Sequence, residues 1–194
     1  MFIAKKKIVK TITIIFLLFM ILAVYQSNFV GRMMYPFPYK QTVEKYAAQY
    51  GMDPLLVIAV IREESRFITK SKSSKGAVGL MQLMPGTAKE VAVWLKEDYA
   101  KADLLDPETN IRYGTWYLAS LSKEFSGNTV LTLAAYNAGI GRVQSWLDDW
   151  PKDPNAYRIE EIPITETREY VEKVYRSYEK YLALYATQHS GGRE

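Results

Sequence analysis

Cysteine is absent from the chain, which excludes a disulfide framework, a thiol nucleophile, a thiolate-ligated metal and a lipidated-cysteine anchor. Histidine is nearly absent. The single one, His189, precedes a polar Ser-Gly-Gly-Arg-Glu end and reads as solvent exposed, so a Ser-His-Asp triad or a histidine-rich zinc site is not expected. Nothing in the chain calls for a metal or cofactor. No segment alternates apolar and polar residues as a half-buried strand does, and no internal repeat is present. A basic excess is also missing from most of the chain. Lys5, Lys6, Lys7 and Lys10, with no acid among the first 30 residues, equal the whole net charge of +4. Residues 31–194 are thus near neutral, which argues against nucleic acid as a partner in spite of a pI near 9.0.

What is present begins with an apolar run. Thr11 to Tyr25 carries no charge, follows the lysines, and has no pair of small residues placed for cleavage near Ala23 to Ser27. We read residues 1–30 as a cytoplasmic tail and signal anchor, with a cleaved signal peptide as the alternative. Lysines before the span and none just after it put the domain on the extracytoplasmic side. Residues 31–39, with Pro36 and Pro38, read as a stiff linker, 40–187 as one domain, and 188–194 as a polar tail.

Within the domain the pattern is helical. Helices are expected from about Tyr39 to Tyr50, stopped at Gly51, and from Pro54, capped by Asp53. Others are expected over Pro85 to Trp94, Pro107 to Phe125, Val130 to Asn137, Arg142 to Trp150 and Thr165 to Thr187. The run Leu55-Leu56-Val57-Ile58-Ala59-Val60-Ile61 is too continuous for a surface helix and is expected to cross the core. At helical spacing Glu64 shares a face with Val57, Val60 and Ile61. A carboxyl held there loses hydration, and its pKa rises toward the range of a general acid at neutral pH. Glu63 follows the same run, and spacing alone does not choose between the two.

The stretch that opens with this acid carries a resemblance. Glu64-Ser65-Arg66-Phe67, Ser73, Gly76-Ala77-Val78-Gly79-Leu80-Met81-Gln82 and Met84-Pro85 closely resemble the first signature motifs of the soluble lytic transglycosylases. Those are peptidoglycan-cleaving enzymes with a goose-lysozyme-like catalytic domain. Asn110-Ile111 with Gly114 and Tyr117-Leu118, Ala134-Ala135-Tyr136-Asn137-Ala138-Gly139, and Ile162-Pro163 with Glu166-Thr167-Arg168 and Tyr170-Val171 follow in the family's order. Ser71, where alanine is common, is the one departure in the first motif.

The resemblance implies a mainly α, lysozyme-like fold behind an N-terminal transmembrane anchor, acting on peptidoglycan glycan strands. It places the acid at Glu64 and leaves Glu63 to solvent or a salt bridge. Gln82 and Met84 would line the cleft floor, with the Gln82 amide bonded to an acetamido group or to the loop backbone. Ser73, Tyr136 and Asn137 would contact the glycan. Glu166 and Tyr170, four apart on one helix face, would lie over the site with Tyr170 bonding near Glu64. A glycosidase usually needs two carboxylates. The resemblance implies that one suffices: Glu64 protonates the oxygen between N-acetylmuramic acid and N-acetylglucosamine, then as a base assists closure of a 1,6-anhydro ring. Asp98, Asp103 and Asp106 belong to no motif and receive no role. The rivals are a muramidase on the same fold and a glycan-binding scaffold without turnover. Trp94, Trp116, Trp146 and Trp150 are core or subsite residues.

Overall fold

The structure is a computed structural model that describes residues 2–26, 28–147 and 157–189. Its helices are α1 (Phe2–Gln26), α2 (Asn28–Met34), α3 (Lys40–Tyr50), α4 (Pro54–Ser65), α5 (Pro85–Leu95), α6 (Pro107–Glu124), α7 (Thr129–Ala138), α8 (Ile140–Leu147) and α9 (Thr165–His189). Short 3-10 turns fall at Tyr99–Lys101 and Ile159–Glu161. Among the described residues there is no strand; only isolated bridges pair Lys72 with Val78 and Val78 with Leu83.

The helix starts follow from local chemistry. Asp53 accepts from the Leu55 N–H at 2.7 Å, Asp106 from the Thr109 N–H at 2.8 Å, and Asn128 from the Leu131 N–H at 3.0 Å. Pro54, Pro85 and Pro107 occupy first turns, where a backbone N–H has no intrahelical partner to lose. The eighth helix starts at Ile140, earlier than the Arg142 expected from sequence, because Gly139 ends α7 and the chain turns at once. Its expected end at Trp150 lies outside the described residues.

Every residue from Leu55 to Ile61 is buried, so α4 runs through the middle of the domain. A helix apolar on all sides must be enclosed. α9 packs on it more extensively than any other helix pair in the fold, α3 lies beside it, and α6, α7 and Val143 of α8 complete the cluster. A smaller cluster of Leu83, Ala88, Val91, Ala92, Leu104 and Tyr113 seats α5.

The loop between α4 and α5 has little regular structure, yet many of its backbone groups are hydrogen-bonded. Val78 and Leu83 exchange N–H to carbonyl bonds of 2.9 and 3.0 Å. Asn110 of α6, fully buried, accepts from the Met81 N–H at 2.7 Å and donates to the Val78 and Leu104 carbonyls, both at 2.9 Å. Gly79 sits at φ 82° directly against this amide. A Cβ there would collide with the Asn110 amide and the Leu104 carbonyl oxygen, so glycine is required both for its dihedral and for its size.

The N-terminal region departs from the expectation in one way. Among the described residues no single helix is long and apolar enough to cross a membrane; only Lys10–Ala23 taken with Asn28–Met34, bent by 54°, meets that length and composition. The apolar residues Ile12 to Leu22 are exposed rather than packed on the domain. The stretch read as a stiff linker is fastened to the domain. Tyr181 and Tyr185 of α9 donate to the Pro36 and Tyr35 carbonyls at 2.8 and 2.9 Å, and the Phe37 ring meets both tyrosines edge-on. The Arg62 guanidinium lies 4.2 Å from the Tyr35 ring centroid and donates to the Met34 carbonyl at 3.0 Å. Tyr35, Phe37 and Tyr39, alternating with the prolines, bury apolar area that a solvated spacer would expose.

Replacing Asn110 by Ala orphans the Met81 N–H and removes a partner from two buried carbonyls. Asn110→Ala should therefore destabilise by on the order of 3 kcal/mol. The check is a lower urea midpoint with an unchanged slope.

Candidate active site

The end of α4 divides two adjacent carboxyls between two environments. Successive helical residues point about 100° apart, so Glu63 and Glu64 cannot face the same neighbours. Glu64 leaves the core toward the α4–α5 loop and the first turns of α9. There the Tyr170 hydroxyl donates to Glu64 Oε1 at 2.7 Å. Glu63 turns toward the middle of α9, where the Ser177 hydroxyl donates to its Oε1 at 2.6 Å. Arg62 Nε and Arg66 Nη2 each stand 3.7 Å from its carboxylate, and its side chain is only 9% exposed. Glu63 is thus held in ion pairs rather than in solvent.

These surroundings set the protonation of Glu64. Burial raises its pKa from 4.5 to about 7; the Tyr170 hydrogen bond opposes that rise and the nearby Glu63 charge adds to it. With Oε1 occupied by Tyr170, the proton of the neutral acid belongs on Oε2. Burial, and next the Glu64 charge, hold the Tyr170 and Tyr136 phenols well above their ordinary range, so both remain donors. Tyr136 donates to the Met81 carbonyl at 2.8 Å and so fixes the turn beneath the acid.

The other residues singled out from sequence are distributed around this pair. Gln82 adopts φ 47°, a left-handed conformation uncommon for a side chain of its size. Its amide donates to the Gly79 carbonyl at 2.8 Å and to the Ser71 carbonyl at 3.3 Å, so of the two partners expected for it, the loop backbone is the one seen. Met84 is 43% exposed at the start of α5. Ser73 is exposed, and its Oγ accepts from the Ala77 N–H at 3.0 Å, closing a turn of the loop. Asn137 is exposed at the end of α7 and its Oδ1 accepts from Thr167 at 3.0 Å. Glu166 accepts from Lys75 at 3.3 Å, linking α9 to the loop between α4 and α5. Tyr170, one turn further along α9, is the residue that reaches Glu64.

Two positions carry more than sequence reasoning assigns them. Asn110 ties down the loop, and its signal in the sequence is an amide amid positions that pack apolar residues. Thr167, buried, orients Asn137 from α9. The three aspartates that belong to no motif make local backbone bonds: Asp98 accepts from the Ala100 N–H at 3.1 Å, Asp103 from the Leu105 N–H at 2.8 Å, and Asp106 caps α6. Among the described residues no group of three or more His, Cys, Asp or Glu converges where a metal ion could be held. Trp146 is half-buried against the core, Trp94 and Trp116 stack on each other, and Trp150 and the side chain of His189 lie outside what is described.

A helical domain that presents one partly buried acid over a tied loop has close structural counterparts. The lytic transglycosylase Slt of Pseudomonas aeruginosa, solved as an inactive mutant, superposes with a TM-score of 0.72 at 40% identity, over 80% of this chain and 26% of that one. The fold is therefore the mainly helical, lysozyme-like fold of the lytic transglycosylases. The Transglycosylase SLT domain family matches residues 41–158, and the chain belongs to that family. The soluble lytic murein transglycosylase of Escherichia coli K12 is 40% identical over 152 residues, 76% of this chain and 24% of that protein. The membrane-bound lytic murein transglycosylase C of Actinobacillus pleuropneumoniae is 31% identical over 170 residues, 75% of this chain and 46% of that protein. The chain thus spans about a quarter of the length of the first of these relatives.

Tyr170→Phe removes a donor that favours the ionised form of Glu64. The variant should raise the Glu64 pKa by about one pH unit above its present value near 7. Carbon-13 NMR of the glutamate carboxyls across a pH titration measures this directly.

Proposed function

We propose that the chain is a peptidoglycan lytic transglycosylase, cleaving the β-1,4 bond between N-acetylmuramic acid and N-acetylglucosamine without consuming water. The observation that carries the reading is Glu64 itself, desolvated, bonded to Tyr170 through one oxygen, and poised near neutrality. In the first step the Oε2 proton passes to the glycosidic oxygen as the bond to the anomeric carbon breaks, and the muramic 2-acetamido group supports the positive charge that develops. Glu64, now ionised, takes the proton from the muramic 6-hydroxyl, whose oxygen bonds to the anomeric carbon. The glutamate ends protonated as it began. A pKa near the working pH suits a group that must give and then accept a proton. Intramolecular attack also avoids much of the entropy cost of recruiting a second molecule.

Ser73, Gln82, Met84, Tyr136, Asn137 and Glu166 are assigned to the glycan cleft around the acid, and Tyr170 to holding Glu64. For the remainder of the chain we propose a cytoplasmic tail and membrane anchor within residues 1–30. The exposed apolar surface of Ile12 to Leu22 supports this, since lipid would cover what the domain does not. Residues 31–39 join it to the domain of 40–187, on the extracytoplasmic side, and 188–194 form a polar tail. That one relative is named as membrane-bound is in keeping with a place at the membrane.

Glu64→Gln should leave a folded protein with activity lower by at least a hundred- to ten-thousand-fold, the contribution of general acid catalysis alone. Glu63→Gln should keep most of its activity. Digests of purified sacculi, read by mass spectrometry, should be dominated by muropeptides ending in 1,6-anhydro-N-acetylmuramic acid. Reducing-end products would assign a muramidase, and no digestion by the folded protein a scaffold. The same glutamine variant should be the more stable protein above pH 7. The folded-state pKa is raised, so folding must desolvate a charge once both states are ionised. The gain should be on the order of 1–3 kcal/mol at pH 8 and vanish below about pH 4.5.

Cell fractionation tests the anchor. The protein should pellet with membranes and be protease-accessible from outside, whereas a mature N-terminus near Ser27 would replace the anchor by a cleaved signal.

A further inference from the structure

Two residues before Glu64, and so about 200° around α4, Arg62 turns to the clamped N-terminal segment. Its Nη1 donates to the Met34 carbonyl at 3.0 Å, and its guanidinium lies 4.2 Å from the Tyr35 ring centroid. Both partners precede residue 41, where the family match begins. The Arg62 Nε is buried, has no hydrogen-bond partner among the described residues, and stands 3.7 Å from Glu63 Oε1. Arg62 and Glu63 therefore meet as charges and not through a hydrogen bond.

How strongly two charges act at a given distance depends on the water around them. The Arg62 side chain is 15% exposed, whereas that of Arg66, the other cation beside Glu63, is 66% exposed. Solvent screens the Arg66 pair and reaches the Arg62 pair much less. Part of that cover is the aromatic segment. Tyr35 lies against the guanidinium, which the electron-rich face of the ring also attracts. Tyr35 is fixed in turn by the Tyr185 hydroxyl, bonded to its carbonyl at 2.9 Å, and by the Tyr181 ring, edge-on at 5.7 Å. Removing this cover admits water to the guanidinium and weakens its action on the Glu63 charge.

Glu63 in turn acts on Glu64, since its negative charge makes ionisation of the neighbouring carboxyl harder. The other titratable groups that face the acid are phenols, Tyr170 from α9 and Tyr136 from α7, and burial keeps both protonated. Tyr181, which faces Arg62 from α9, is likewise raised by burial, with Arg62 opposing the rise. The pair of Arg62 with Glu63 is therefore the charged route from the N-terminal segment to the acid.

We propose that Arg62 is a positioning residue for the acid: residues 34–37 hold it against Glu63, where it offsets a negative charge that otherwise bears in full on Glu64. The segment before α3 is then a working part of the site and not only an attachment. A role in catalysis rests on the transglycosylase reading, whereas the effect on the Glu64 carboxyl does not.

The test is a carbon-13 NMR titration of the glutamate carboxyls in the full chain, with the Glu64 signal assigned by its loss in Glu64→Gln. Arg62→Gln should raise the Glu64 midpoint by about one pH unit, and Tyr35→Ala should shift it in the same direction by less. Tyr35→Phe, which keeps the ring over the guanidinium, should leave it in place. With Glu63→Gln already present, Arg62→Gln should lose most of its effect. Arg62→Met, which keeps the buried stem, repeats the test where Arg62→Gln does not fold. An unmoved Glu64 midpoint in either the Arg62 variants or Tyr35→Ala, even with a lower urea midpoint, marks a merely structural contact and overturns the proposal. An equal shift with and without Glu63 also overturns it, because Arg62 then acts on Glu64 directly. Digestion of sacculi supplies the second arm. The alkaline limb of kcat/KM should move up with the carboxyl, and KM below that limb should stay unchanged. No digestion, or a limb that stays while the carboxyl moves, removes the acid role of Glu64 and leaves the positioning intact. Digestion in which limb and carboxyl both ignore Arg62 does the reverse.

Discussion

Keeping an ionisable carboxyl out of water is costly, and the contact between α4 and α9 is what makes it possible here. Its centre is apolar, with Val171 and Val174 of α9 against the continuous hydrophobic run of α4. Its flanks are hydroxyls. Tyr170 reaches Glu64, Ser177 reaches Glu63, and Tyr178 donates at 2.5 Å to Asp53, the residue that caps α4. Apolar packing alone would tolerate a slip of one helix along the other. A slip of one turn would unpair all three hydroxyls and leave the buried Glu64 without its donor, so the polar flanks fix the register. The depth at which Glu64 sits is therefore a property of a whole helix pair and not of one side chain.

The same contact separates two chemically identical neighbours. Glu63 is surrounded by Arg62, Arg66 and Ser177, while Glu64 is desolvated and receives one phenol. Glu63 then also acts on its neighbour, because a negative charge close by makes a second one harder to form. One residue is tied into ion pairs and the other is desolvated, though they differ by a single step along the chain.

Much of this arrangement is legible in the amino-acid sequence. Asp53 with Pro54, and Asp106 with Pro107, mark helix starts through local bonds that need no tertiary context. The unbroken run from Leu55 to Ile61 can only be satisfied in a core, and that places an acid at its edge. What the sequence hides depends on contacts between distant segments. Nothing local says that Asn110 bonds three backbone groups around Gly79, or that Glu166 closes onto Lys75. The aromatics between Pro36 and Tyr39 read as a linker because their partners lie some 150 residues away on α9.

The clamp on residues 35–39 bears on the mechanics of the molecule. Tyr170, at the acid, and Tyr185, at the clamp, are fifteen residues apart on one continuous helix, a separation of about 22 Å along its axis. α9 is thus a strut between the point where the N-terminal segment is gripped and the point where chemistry is proposed. A flexible tether would let the cleft sample a sphere of positions. A strut holds it at one stand-off distance and one tilt from whatever precedes the clamp, so that reach is set by a helix length and not by chain entropy.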